Sequence, residues 1–142
     1  MSVLFKFQSV DEKATAANVR QFFKQDVDEL EQLAGDSLGG LYHSPSFDST
    51  PSHTNHLNST EMQVIKAIDA RKELGLIVQT MKECTGVGKT ILVNKYINHL
   101  PMFKIEQAIG YSSTQTKTKQ RAALIEFANH YAAHGRDLRI MK

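Results

Sequence analysis

The residues best suited to chemistry in this chain lie in one short polar run, from position 112 to position 118. Ser112 is followed three residues later by Gln115, which is the spacing of a capping box at the start of a helix. Glutamine can bond an adenine edge through two atoms, and lysine favours guanine or phosphate. Serine and threonine can contact either a base or a phosphate. Because the first turns of a helix meet base edges in the DNA major groove, this run predicts DNA readout. The predicted base-reading residues are Ser113, Thr114, Gln115, Lys117 and Thr118.

A shorter helix and a glycine precede this run and would position it. The helix is predicted to end just before position 110, with Ile105, Ala108 and Ile109 facing inward. Gly110 permits a tight reversal because glycine adopts positive φ at little cost. Tyr111 is expected to pack as the apolar anchor of the turn. Helix, glycine turn and capped helix together predict a helix-turn-helix.

The predicted helix-turn-helix covers residues 102–131 and lies in the basic part of the chain. Residues 88–142 carry nine Lys and Arg against three Asp and Glu, a net charge of +6. Residues 1–57 carry four against eight, a net charge of −4. A basic segment of this kind favours contact with phosphates. Three basic side chains are predicted to clamp the DNA backbone: Lys104, Lys119 and Arg121.

The chain divides by composition into three segments. Residues 1–34 form a predicted helical segment, whose start fits a capping box of Ser9 and Glu12 and whose outer face is acidic. Residues 35–58 are rich in Gly, Pro and Ser, which is typical of a mobile linker. Residues 59–142 are predicted to form a helical DNA-binding domain. Since no alternating stretch is long enough to indicate a sheet, the predicted fold is all-α.

Two more helices are predicted before the helix-turn-helix. The first begins at Ser59 or Thr60, and the second runs from Lys89 to about position 99. The second helix is apolar nearly all round, so it should be buried. Between them, Thr85-Gly-Val-Gly-Lys-Thr90 ends like a nucleotide-binding phosphate loop. Glu83 stands where that motif requires its first glycine, so an inter-helix turn is predicted instead, with Lys89 free to meet a DNA phosphate.

Three places in the sequence resemble one known family. The first is Asp11-Glu-Lys-Ala-Thr-Ala-Ala-Asn-Val-Arg-Gln-Phe-Phe, in the opening helix. The second is the Ser44-Pro45 region together with Lys95-Tyr96-Ile97. The third is Ile109-Gly-Tyr-Ser-Ser-Thr followed by Ala123-Leu-Ile-Glu-Phe-Ala. Together they resemble the ArpU family of phage and prophage transcriptional regulators from Gram-positive bacteria.

In that family the C-terminal half is similar to the DNA-binding module at the end of bacterial sigma factors. The resemblance implies a regulator of phage late or lysis genes, with Ser113, Thr114, Lys117 and Thr118 where base-reading residues sit. We expect the acidic N-terminal segment to serve self-association or contact with RNA polymerase. Two-fold symmetry is common among helix-turn-helix proteins, so a homodimer on double-stranded DNA is expected.

Neither an enzyme nor a bound metal or cofactor is expected. His53 and His56, with His43 nearby, could form half a metal site, but no cysteine or helix fixes their geometry, so solvated side chains are expected. Cys84 has no paired His or Asp in a recognisable arrangement and is expected to be a buried thiol. No apolar run is long enough to span a membrane and no signal peptide is recognisable, so a cytoplasmic location in a bacterial host is expected.

Two alternatives to a transcriptional regulator remain open from the sequence. A small terminase-like packaging subunit also joins a helix-turn-helix to oligomerising helices. A protein-only adaptor could use the same helical hairpin to dock a partner. Ring-sized oligomers and binding at packaging sites would favour the first alternative, and the absence of duplex affinity would favour the second.

Overall fold

The computed structural model describes residues 9–44 and 60–142, and over those ranges the predicted all-α fold is confirmed. Two π-helical turns, Phe22–Asp26 and Val93–Ile97, continue the helices before them. Within the same ranges, extended pairing is limited to one antiparallel bridge between Val10 and Met141. In chain order the α-helices are α1 (Glu12–Gln21), α2 (Val27–Ala34), α3 (Leu38–Tyr42), α4 (Glu61–Glu83), α5 (Gly86–Leu92), α6 (Met102–Ile109) and α7 (Ser113–Ala133).

The first helix begins after an extended segment that pairs with the C-terminal tail. Asp11 caps α1, because its carboxylate accepts the backbone N–H of Ala14 at 3.0 Å. The predicted capping box of Ser9 and Glu12 is therefore wrong. The carbonyl of Ser9 instead accepts the N–H of Lys142 at 3.0 Å, and this pairing holds the chain extended until the helix starts.

A short helix, α3, forms inside the range predicted to be a linker. The hydroxyl of Ser37 accepts the N–H of Gly40 at 2.9 Å and caps the start of this helix. Leu38 and Leu41, three residues apart on one helical face, are buried in the core. The linker prediction is wrong for this part, because those two leucines outweigh the glycines and serines around them. Residues 45–58 of the predicted linker lie outside the described residues.

The N-terminal helices pack into the same hydrophobic core as α4 and α7. Phe23 stacks on Tyr96 with ring centroids 4.2 Å apart and lies 5.0 Å from the ring of Phe127. The ring of Phe22 lies 5.4 Å from that of Tyr131. Aromatic pairs of this kind stabilise a fold by about 1 kcal/mol each beyond the burial itself. These contacts fix α1 and α2 against the C-terminal half of the chain.

The residues after α7 fold back and hold α1 beside it. Thr15 is completely buried, and its hydroxyl accepts the N–H of Ile140 at 2.9 Å and donates to the carbonyl of the same residue at 3.3 Å. The side-chain amide of Asn18 donates to the carbonyl of Leu138 at 2.9 Å. The C-terminal tail therefore helps to position α1.

The helix predicted from Lys89 to about position 99 differs from the observed one in length and burial. The observed α5 starts earlier and passes into the π-helical turn that ends at Ile97. Ile97 is buried, as are Ile91 and Leu92, but Tyr96 is only half-buried. The predicted burial of this helix is therefore confirmed for one face only.

Candidate nucleic-acid interface

Two helices joined by a three-residue turn present the predicted polar run. Gly110 ends α6 with φ of 75°, in the left-handed region, and its N–H bonds the carbonyl of Glu106 at 2.9 Å. Ser112 then starts α7: its hydroxyl accepts the N–H of Gln115 at 3.1 Å, and its own N–H donates to the Gln115 side chain at 3.3 Å. The predicted glycine reversal and capping box are both confirmed.

The predicted DNA-contacting side chains all lie at the surface. The base-reading candidates Ser113, Thr114, Gln115, Lys117 and Thr118 are exposed, and so are Lys104, Lys119 and Arg121. Thr116 and Gln120, which alternate with them, are buried on the opposite side of α7. The helix is therefore held by one face while the polar and basic face is open to solvent.

Two of the base-reading candidates already make bonds within α7. The side-chain carbonyl of Gln115 is used by the capping box, so a two-atom contact with adenine would compete with the helix cap. The hydroxyl of Thr118 donates to the carbonyl of Thr114 at 3.2 Å. No ion pair within the described ranges neutralises Lys104, Lys117, Lys119 or Arg121.

The inward face of α6 is narrower than predicted. Ile105 is completely buried and Ile109 is half-buried, but Ala108 is exposed. Ala108 follows Ile105 by three residues, or about 60° around the helix, so it lies at the edge of the inward face. Tyr111 is also 38% exposed, so the prediction that it anchors the turn is wrong. Of the α6 side chains, only Ile105 is buried.

A groove of about 770 Å³ runs between α1 and the exposed face of α7. On α7 it is bordered by Thr114, Lys117, Thr118 and Arg121. From α1 it is bordered by Arg20, a residue that the sequence interpretation assigned to an acidic segment of separate function. Nothing local to positions 11–23 indicates this proximity, because it depends on the packing of two helices about a hundred residues apart.

Over 131 residues the chain is 30% identical to a protein of Enterococcus hirae named "Putative autolysin regulatory protein ArpU". The match covers 91% of this chain and 93% of that protein. The chain belongs to the ArpU family. The resemblance seen in the three short stretches is thereby confirmed as family membership. No family model matches the chain, and no solved structure matches it.

The Gly-Lys-Thr sequence of this ArpU-family chain lies in a helix–helix junction. Gly86, with φ of 65°, begins α5 after a two-residue turn of Cys84 and Thr85 that follows the end of α4. The ammonium group of Lys89 donates to the carbonyl of Lys82 at 3.1 Å, which satisfies an open carbonyl near the C-terminus of α4. The predicted inter-helix turn is confirmed. That Lys89 also meets a DNA phosphate stays a prediction, since this bond uses one of the three N–H donors of its ammonium group.

Among the described residues of the ArpU-family chain, the remaining chemical candidates do not assemble into a site. Cys84 is buried as predicted, and burial, reinforced by Glu126 and Glu83, raises the pKa of its thiol to about 12. His43 is exposed, and His53 and His56 lie outside the described residues. Over residues 9–44 and 60–142, no three His, Cys, Asp or Glu side chains are grouped as metal ligands. None of the helices there combines the length and apolar character needed to cross a membrane.

Proposed function

We propose that this ArpU-family protein is a sequence-specific, DNA-binding transcriptional regulator whose α7 enters the major groove. The observation that carries the proposal is the exposure of Ser113, Thr114, Lys117 and Thr118 on the first two turns of a capped helix. A recognition helix requires polar side chains at this end, since the N-terminal residues of the helix meet the base edges.

Basic side chains around these residues support contact with the DNA backbone. Lys119 and Arg121 follow the base-reading candidates on α7, and Lys104 lies on α6. Unpaired cations bind phosphates by releasing condensed counterions, and this term supplies most of the affinity that is independent of sequence. The proposed division of roles is therefore backbone contact for these three and base contact for the first two turns.

The attachment of α7 to the bundle supports readout by a rigid helix. Its inner face buries Leu124 and Phe127 completely, and Tyr131 is 2% exposed near its C-terminal end. Base contacts require side chains that are held in position before binding, because each ordered side chain otherwise costs conformational entropy. A helix that is packed along its length and free at its start meets that requirement.

The name of the Enterococcus hirae relative supports a regulatory role, since it describes regulation of an autolysin. We extend the proposal to late or lysis genes of a phage or prophage, with a sigma-factor-like use of the α6–α7 unit. A homodimer would place two copies of α7 on half-sites about one helical turn apart. The exposed carboxylates of Asp28 and Glu29 on α2 provide an acidic surface for RNA polymerase.

Recovery of bound DNA from cells, followed by sequencing, identifies the sites. We expect a shared sequence upstream of a small number of genes. Enrichment at packaging sites would instead support the terminase-like alternative, and the absence of any enrichment would contradict DNA binding.

The recovered duplex and a random-sequence duplex then test the residue roles. We expect Lys117→Ala to lower the preference for the recovered duplex by about tenfold, within the range of one good base contact. Arg121→Ala should weaken binding to both duplexes equally and flatten the salt dependence. Lys72→Ala, a charge removal on the exposed surface of α4, is the matched control. An equal loss on both duplexes for Lys117→Ala would refute its base-reading role.

A further inference from the structure

Arg20 of α1 borders the same groove as the exposed face of α7. The position of α1 is set by buried contacts: Phe23, one turn further along, stacks on Tyr96, and Thr15 is bonded to Ile140. The guanidinium group of Arg20 is therefore attached to a fixed helix beside α7.

The basic side chains of this groove are not neutralised inside the described part of the chain. Arg20, Lys117 and Arg121 form no ion pair there. Two carboxylates also border the groove, Glu12 and Glu126. Glu126 accepts hydrogen bonds from the backbone N–H and the hydroxyl of Thr85, at 3.3 and 3.0 Å, so part of its hydrogen-bonding capacity is already used.

Arg20 also borders a second groove, in which two lysines lie beside two carboxylates. This second groove, of about 460 Å³, is bordered by Arg20 together with Lys24, Lys95 and His99. The carboxylates of Asp28 and Glu31 also border it, and both accept hydrogen bonds within the fold. Glu31 accepts the N–H of Leu38 at 2.7 Å. Arg20 is thus the residue that connects the two grooves.

We infer that Arg20 binds a backbone phosphate of the duplex that α7 reads, so that α1 is part of the DNA-binding surface. This inference rests on the proposed function. Phosphates line both edges of the major groove, and a helix lying in that groove has them on either side. A guanidinium group bonds two phosphate oxygens at once, which suits a residue at the side of the recognition helix.

Duplex binding across a salt series tests the inference. The full-length protein and its Arg20→Gln, Arg20→Lys and Lys13→Gln variants are titrated with random-sequence duplex from about 50 mM to about 200 mM salt. Lys13 is a matched control, since it is exposed on the same helix and borders neither groove. We expect Arg20→Gln to reduce the steepness of log K against log salt by about 0.9, as for one lost phosphate contact.

The variants separate a phosphate contact from other roles of Arg20. Arg20→Lys should restore the salt slope, and Lys13→Gln should leave it unchanged. An identical slope for Arg20→Gln and Lys13→Gln, with tight binding retained, would overturn the inference and leave the proposed function intact. Loss of self-association in Arg20→Gln, measured by sedimentation, would also overturn it. No duplex binding by the unaltered protein would contradict the proposed function itself.

Discussion

Gly88 lies so close to Ala123 that a Cβ atom added to the glycine would be 2.9 Å from the Cβ of the alanine. This contact joins α5 to the middle of α7 and allows the two helices to approach closely. A glycine in a sequence that ends like a phosphate loop thus serves helix packing. It supports the same helix that presents the candidate DNA-binding residues.

We expect Gly88→Ala to destabilise the protein. Overpacking costs about 1–3 kcal/mol, and the gain from alanine in a helix is about 1 kcal/mol, so the net loss should reach about 2 kcal/mol. Denaturant unfolding measures it. Ala123→Gly in the same chain should remove the clash, so the double variant should be more stable than the sum of the single changes predicts. If the stability effects of the two substitutions simply add, the contact between Gly88 and Ala123 does not explain the loss of stability.

The capping box predicts different effects for two substitutions of Gln115. Gln115→Ala removes the side-chain acceptor of the Ser112 N–H and should destabilise the protein by about 0.5–2 kcal/mol. Gln115→Glu keeps the box and should retain stability. Thermal unfolding measures both. If Gln115 also reads a base, both variants should lose sequence preference, and preference retained in Gln115→Glu would restrict this residue to capping.

Cys84 should resist alkylation in the folded protein. Its pKa is raised to about 12 by burial first and then by Glu126 and Glu83, against an ordinary value of 9.0. At about pH 8 the thiolate fraction should be about a thousandfold lower than in the unfolded chain, since each pKa unit is a factor of ten. Iodoacetamide labelling followed by mass measurement tests this. Equal rates in native and denaturing buffer would contradict the assigned burial.

The same raised pKa gives a sign for the pH dependence of stability. The folded chain holds the thiol proton more tightly than the unfolded chain does. This contribution to the free energy of unfolding is therefore complete below pH 9.0 and decreases as the pH rises toward about 12. We expect Cys84→Ser to lose a part of that alkaline dependence. An unchanged profile of the free energy of unfolding against pH would contradict this contribution of Cys84.

The bond between Thr15 and Ile140 should be needed to hold α1. Thr15→Val keeps the shape of the side chain and removes both hydrogen bonds, so a loss of about 1–2 kcal/mol is expected. Amide hydrogen exchange in α1 should become faster than in α7. Thr90→Val, on the exposed surface of α5, is the control. Unchanged exchange in α1 would mean that aromatic packing and the Asn18–Leu138 bond are sufficient to fix this helix.

Local features of the site could be predicted from the sequence. The Ser112–Gln115 box consists of hydrogen bonds between residues three apart, and the reversal at Gly110 depends on the conformational freedom of one residue. The exposure of Lys117 and Thr118 follows from the helical period once α7 is recognised. These predictions needed no knowledge of the partners that each helix packs against.

Other features were decided by contacts between distant parts of the chain. Ser9 does not cap α1 because its backbone pairs with the tail at Lys142 and stays extended. Arg20 reaches the groove of α7 because α1 packs against α7. Lys89 bonds a carbonyl near the end of the preceding helix, a contact that its immediate sequence neighbours do not indicate. The amino-acid sequence alone determined helical periods, the Ser112–Gln115 cap and the basic C-terminal part, since these arise from neighbours within a few residues. Only the tertiary structure decided which helices share a surface, because that depends on how well whole faces pack against one another.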